Sequence, residues 1–269
     1  MNDIKVASWN ELNDLLFADA WRENLRRMRS PFVFRGVQIP AHAPLTTSLT
    51  RIGGNYQDRE LPMLRSFTKY ARREQTPHEI VWNWLAIAQH HGLPTRLLDW
   101  TYSPYVALHF ATADIEAFNQ DGLIWCVNSD ATLQFLPDKL QQISKESSAL
   151  VFTAEILSEG AADIKELHRL EKESGTEFVI FLEPPSLDER IVNQFALFSL
   201  MSNPITRLDH WLAAKADQVP NLYRRLIIPA ELKWEIRDRL DQANITERVL
   251  FPGLDGLGQW LKRYYTLRE

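Results

Sequence analysis

Gln89-His-His-Gly-Leu-Pro-Thr-Arg-Leu-Leu-Asp-Trp-Thr-Tyr-Ser-Pro104 separates one helical pattern from the next. Upstream, Ile80, Val81, Trp84, Leu85 and Ala88 recur at helical spacing. Thr76-Pro-His-Glu79 opens that helix as a capping box, with Thr at N-cap, Pro at N1 and Glu at N3. Gly92 stands where a left-handed C-cap belongs, and Pro94 stops the helix. Downstream, Ser103 and Pro104 read as N-cap and N1 of a helix over 105–113. The connection between the two helices is dense in His, Arg, Asp, Trp, Thr and Ser. Polar side chains concentrated between rigid helices are a common construction for a site.

Outward from this stretch the pattern alternates between helix and strand. Trp9, Leu12, Leu15, Leu16, Ala20, Trp21, Leu25 and Met28 share a helical stripe, which predicts a helix over 8–28. The aromatic and β-branched run at 31–37 reads as a strand, followed by a proline-rich loop to Ser48. A helix is expected over 58–74, and strands over 122–127, 177–182, 196–201 and 224–228. Helices are expected at 230–243 and 257–265. The polar stretch 130–175 reads as an insertion with charged helical pieces. No repeat and no regular βαβ rhythm is present, which argues for an α+β fold. We read residues 1–269 as a single domain, its core at about 30–130 and 176–262 with the 8–28 helix in front.

Composition narrows the function classes. The chain has 269 residues, 45% hydrophobic, and a formal net charge of -5. A core of ordinary size follows; a strongly basic nucleic-acid surface does not. One cysteine, Cys126, excludes a disulfide framework and a multi-cysteine zinc site. The opening residues lack the apolar core of a secretory signal, and no apolar run reaches the roughly 20 residues of a membrane span. A cytoplasmic protein without a membrane partner is the expectation. There is no Walker phosphate loop, strand–GxGxxG–helix, GxSxG elbow or HExxH. His90 and His91 are adjacent, so they point about 100° apart on a helix and do not share a metal. No metal site is expected.

Two stretches carry the candidate chemistry. In Phe34-Arg35-Gly36, an arginine inside an apolar strand needs a partner, because a buried unpaired charge is costly. Its planar fork suits carboxylate or phosphate, and the glycine beside it lets another group approach the backbone. In the 89–104 stretch, His91 falls near the buried stripe while His90 turns away from it. Arg96 and Asp99 are spaced to pair with each other, and Ser103 serves as a helix cap.

These residues also carry a resemblance. Phe34-Arg-Gly36, Gln89 to Thr101, Ser103-Pro104 and Ala107-Leu-His-Phe-Ala111 resemble the FRG domain family. The tail, from Leu226-Ile-Ile-Pro229 to Leu250-Phe-Pro-Gly-Leu-Asp-Gly256, resembles the usual end of these proteins. The family is mainly bacterial and phage-associated, which implies a toxin or an anti-phage defence effector. A second likeness is to ADP-ribosyltransferases of the Arg-Ser-Glu type. It rests on Arg35-Gly36, on Leu97-Leu-Asp-Trp-Thr101 before the 107–111 helix, and on Arg190-Ile-Val-Asn-Gln194 before Ala196. That likeness implies a mixed or antiparallel central sheet flanked by helices, with NAD as substrate.

The roles the resemblance implies are specific. Arg35 would hold an NAD phosphate, the Gly36 backbone the nicotinamide amide, Thr101 the nicotinamide ribose, and Trp100 would stack on the ring. His90, Arg96 and Ser103 would complete the binding set. Arg35, Asp99, His91 and Gln194 are the candidate catalytic residues. Gln194 stands where the family carries a catalytic Glu and supplies no charge; Glu183 and Glu189 are nearby and Asp99 could replace it. The expected partner is a nucleotide-like small molecule, with a protein or nucleic-acid acceptor. Two other readings compete. One is a non-catalytic module binding nucleotide, nucleic acid or protein, with basic stretches at 22–29 and 65–73. The other is a hydrolase using His91, Asp99 and Ser103, which no nucleophile elbow supports.

Overall fold

Strand β1 (Asp3–Lys5) is followed by α1 (Trp9–Phe17), which opens on Ser8, whose hydroxyl accepts from the Glu11 N–H. Leu12 and Leu16 are its buried positions. The computed structural model describes residues 3–38, 44–71, 80–186 and 189–267. The expected 8–28 helix stops at Phe17. Asp19 takes a left-handed backbone, and the chain turns into a two-stranded ribbon, β2 (Trp21–Arg22) with β3 (Arg27–Met28). Trp21, Leu25 and Met28, placed on a buried stripe by their spacing, are about half exposed. The stripe has nothing to pack on beyond the first turns, so helical periodicity there is not rewarded.

The next elements follow the sequence closely. They are β4 (Phe32–Val37), α2 (Glu60–Ala71), α3 (Val81–His90), β5 (Leu98–Thr101) and α4 (Pro104–Ala111). The Thr76–Glu79 capping box lies outside the described residues; α3 begins at Val81 with Ile80 extended before it. Gly92 is left-handed, and the Leu93 N–H reaches back to the Ala88 carbonyl, closing α3 as expected. Ser103 caps α4 through the Val106 N–H with Pro104 in the first turn. The connection read as loop contains β5.

Then come β6 (Gly122–Asn128), α5 (Ser129–Thr132), α6 (Asp138–Ser147), β7 (Phe152–Thr153), α7 (Ala154–Gly160) and α8 (Ile164–Ser174). The chain continues through β8 (Val179–Glu183), α9 (Glu189–Asn193), β9 (Ala196–Met201), α10 (Leu208–Lys215), β10 (Tyr223–Ile228), α11 (Lys233–Gln242), α12 (Glu247–Leu250) and α13 (Leu254–Tyr264). The polar stretch 130–175 packs into the core: Leu140, Phe152, Leu157, Leu167 and Leu170 are buried with α3 and β8. Its charges occupy the outer face of strongly amphipathic helices.

Eight strands form one mixed sheet in the order β1-β10-β6-β4-β5-β9-β8-β7. Only the outermost pairs, β1 with β10 and β7 with β8, are parallel. Helices flank this sheet on both faces, which is the α+β architecture expected. On one face a continuous cluster including Val33, Trp125, Trp100 and Phe181 packs under Trp211 and Leu212 of α10. On the other face the core is divided. One cluster joins β4, β6 and β10 to α1, α4 and α11; another joins β8 and β9 to α2, α3 and α6–α8.

The division coincides with a thin seam in the sheet. β4 meets β5 through the single pair Phe34 and Thr101, whereas β4 pairs with β6 along its whole length. Helix α4 lies beside the seam, directly on the strand backbones. A Cβ on Gly36 would stand 1.8 Å from the Ala107 carbonyl oxygen, and one on Gly122 2.7 Å from that of Ala111.

Candidate functional site

The seam opens a cavity of about 320 Å³. Arg35 and Gly36 reach it from β4, Gln89 and His90 from the end of α3, Asp99, Trp100 and Thr101 from β5. Arg190, Ile191 and Gln194 enter from α9 and its exit, and Phe110 and Phe198 form apolar wall. Seven residues singled out by the sequence therefore surround one cleft. They come from stretches far apart in the chain because β4, β5 and β9 are neighbours or near neighbours in the sheet.

Arg35 bridges the seam. Its Nη1 donates to the Asp99 carbonyl, and lies 3.8 Å from Asp99 Oδ2. The guanidinium is mostly covered while the Asp99 side chain is 60% exposed. Burial lowers the Arg35 pKa below the usual arginine value, Asp99 opposes the fall and Arg51 adds to it. An arginine so placed stays cationic at neutral pH. The pair is wet on one side and leaves Asp99 open to the cleft. Gln89 touches Asp99 as well, its Nε2 3.2 Å from Oδ1 and 3.4 Å from Oδ2.

Other expected site residues have different work. Arg96 is fully buried, and its fork is consumed by Glu60, with Nε at 2.8 Å from Oε1, and by the Ser202 carbonyl at 3.0 Å. It pairs with Glu60, not with Asp99, and faces away from the cleft; it has no free donor set for a ligand. His91 is neither a core histidine nor a cleft residue. It is exposed at the C-cap of α3, where the backbone turns away after His90. The Ser103 hydroxyl accepts from the Val106 N–H as the cap of α4 and does not line the cleft.

Three cleft residues are bound differently from what the resemblance implied. The Trp100 ring is buried on the opposite face of the sheet, donating to Ser199 Oγ at 2.8 Å and packing edge-on to Phe181. Strand alternation sends Leu98 and Trp100 to that face and Asp99 and Thr101 to the other. The ring therefore cannot stack in the cleft. Thr101 Oγ1 donates to the Gln194 carbonyl at 2.7 Å and accepts from the Ser103 N–H at 3.0 Å, stitching β5 to the entry of β9. The missing side chain of Gly36 makes room for the α4 backbone, while the residue also lines the cleft.

Gln194 Nε2 donates to the Leu250 carbonyl, tying this corner to α12. Glu183 lies outside the cleft lining and accepts from the Tyr102 hydroxyl at 2.7 Å. Glu189 lines an adjoining cavity of about 640 Å³, which shares His90 and Arg190 with the cleft. Arg190 lies over the Phe251 ring at 5.0 Å. Sequence reasoning missed Arg190 and Gln89 as site residues. Gln89 stood inside the quoted motif, whereas nothing in the local pattern of the α9 segment marks Arg190.

Among the described residues no helix is long and apolar enough to cross a membrane. No curated protein and no solved structure matches the chain. Residues 30–120 match the family model of the FRG domain. The matched span runs from before β4 to beyond α4, and so contains Arg35, Gly36, Gln89, His90, Asp99 and Thr101. The part of the chain similar to the FRG domain, residues 30–120, thus places Phe34-Arg35-Gly36 and Gln89, His90, Asp99 and Thr101 on the cleft wall.

Proposed function

We propose that the seam cleft binds NAD and that the protein catalyses ADP-ribosyl transfer or NAD hydrolysis. The observation that carries this reading is the Arg35–Asp99 pair, 64 residues apart in sequence and held together across the split sheet at the wall of the cavity. A cation and an open carboxylate side by side suit a ligand that presents both phosphate and hydroxyl groups.

The residues present fit such a substrate. Arg35 and Arg190 supply cations for a pyrophosphate through charge-assisted bonds. Phe110 and Phe198 offer apolar surface to a planar ring. Asp99 is the one carboxylate lining the cleft among the described residues. Breaking the bond between nicotinamide and ribose leaves positive charge on the sugar, while nicotinamide departs with the bonding electron pair. A fixed carboxylate beside the sugar stabilises that charge. An acceptor nucleophile, on a protein or nucleic acid, or a water molecule then takes the anomeric carbon. Gln194 supplies no charge for this task, so Asp99 takes it. Such an activity suits a bacterial toxin or an anti-phage effector, because it drains NAD or modifies a target.

The test is release of nicotinamide from NAD by purified protein. Release by the wild type is expected, with Asp99→Asn slower by about 10²–10³-fold and Arg35→Ala binding NAD at least about tenfold more weakly. Both variants should melt within a few degrees of the wild type. Absence of both nicotinamide release and an NAD-dependent rise in melting temperature would overturn the proposal. So would unfolding of both variants, which would make the pair a structural brace.

A further inference from the structure

A chain of hydrogen bonds with one allowed direction ends on the Asp99 carboxylate. It starts at a backbone N–H, which can only donate. The Leu97 N–H donates to Thr95 Oγ1 at 3.1 Å. The Thr95 hydroxyl proton must therefore point elsewhere, and Thr95 Oγ1 donates to Gln89 Oε1 at 2.5 Å. The other end of the amide meets a carboxylate, which only accepts, so the NH₂ faces Asp99 and Oε1 faces the Thr95 hydroxyl. The NH₂ donates to both carboxylate oxygens, at 3.2 Å and 3.4 Å. The anchor is rigid: Thr95 is completely buried, and its own N–H donates to Ser48 Oγ at 3.0 Å.

We infer that Gln89 and Thr95 are positioning residues that hold Asp99 as a pure acceptor for a vicinal diol on the ligand. The inference rests on the reading of the cleft as an NAD site. An exposed aspartate on its own samples several rotamers, and ordering it costs free energy at the moment of binding. Here the cost is met in the free protein. With Gln89 donating to both oxygens and Arg35 nearby, the remaining lone pairs accept only donors. Two adjacent ribose hydroxyls are donors at the spacing of two carboxylate oxygens; a phosphate or a carboxylate is not.

Two measurements test this. The first needs no ligand: the side-chain amide of Gln89 is followed by ¹⁵N-resolved NMR. Asp99→Leu is expected to move both amide proton resonances and speed their exchange with water, while Thr95→Ser leaves them in place and Thr95→Val moves them. Resonances unmoved by Asp99→Leu would overturn the relay. The second compares Kd for NAD and for the analogue lacking both hydroxyls on the nicotinamide ribose. Gln89→Met should weaken NAD by about tenfold and leave the dideoxy analogue unchanged. Equal loss for both compounds, or for neither, would overturn the diol assignment. A wild type that binds neither overturns that assignment and the NAD reading together, and the amide spectrum still decides whether the relay exists.

Discussion

Arg35 and Arg96 carry the same side chain and meet opposite surroundings. Arg96 is 2% exposed, and its partner Glu60 is 3% exposed. Two charges so deep are tolerated only because each answers the other and the remaining donors reach backbone carbonyls. Arg96→Met leaves a buried, uncompensated carboxylate. The expected cost is about 3–5 kcal/mol, read as a fall in the urea midpoint. Adding Glu60→Leu should recover most of it, because the pair is then replaced by apolar surface. A double variant no more stable than Arg96→Met would show that the arginine's carbonyl contacts matter more than its ion pair. Arg35 differs because its carboxylate partner is open to water, so the same truncation there acts on binding more than on folding.

At the scale of elements, the docking of α4 on β4 and β6 sets the cleft wall. It depends on the missing side chain at Gly36, where any Cβ would collide with backbone atoms of two residues of α4. Backbone on both sides leaves no flexible group to yield. Gly36→Ala is expected to cost more than about 4 kcal/mol, with loss of soluble folded protein. Gly258 is the control, since a Cβ there meets nothing within 4 Å inside α13. Gly258→Ala should raise stability by up to about 1 kcal/mol through helix propensity and backbone entropy. Thermal melting of the two variants distinguishes a packing glycine from a dispensable one.

Across the whole molecule, α4 from the middle of the chain and three helices from its last forty residues meet in one buried polar network. His109 of α4 accepts from Arg237 of α11 at Nδ1, 2.8 Å away, and Arg237 pairs with Glu247 of α12. Arg263 of α13 bonds Glu247 and Asp241. Burial, then the neighbouring Arg237, pushes His109 down to about 3, so it is neutral in the folded protein. Burial alone would raise the Glu247 carboxyl, but bonds from Arg263 and the charge of Arg237 outweigh it and lower its pKa.

The two shifts act in the same direction. Unfolded histidine takes a proton below about pH 6.5 and the folded one only near 3. Stability therefore falls as pH drops through that window, at up to about 1.4 kcal/mol per pH unit. Glu247 adds stability above its unfolded pKa that is lost as pH falls through its folded value. His109→Gln should flatten the loss between pH 7 and 4.5 in urea titrations. Parallel curves for variant and wild type would place the acid sensitivity elsewhere.

How much of this was legible before folding follows from how local each signal is. Alternation and helical spacing are written within a few residues, so β4, β6, β9, α4 and the glycine stop of α3 could be read directly. The motif between α3 and α4 also announced the site, and Gln89, His90, Asp99 and Thr101 from it line one cleft. The reach of the first helix could not be read, because periodicity shows which residues would share a face and not whether a partner covers it. Nor could the partner of Arg96, the face taken by the Trp100 ring, or the arrival of Arg190. Those depend on strand order and on pairings many residues apart, which only the assembled sheet defines. The residue types that can bind were set by the sequence alone. Which of them stand together with an open side, and which are consumed in holding the fold, was decided by the tertiary structure, because burial assigns each polar group either to another group or to water.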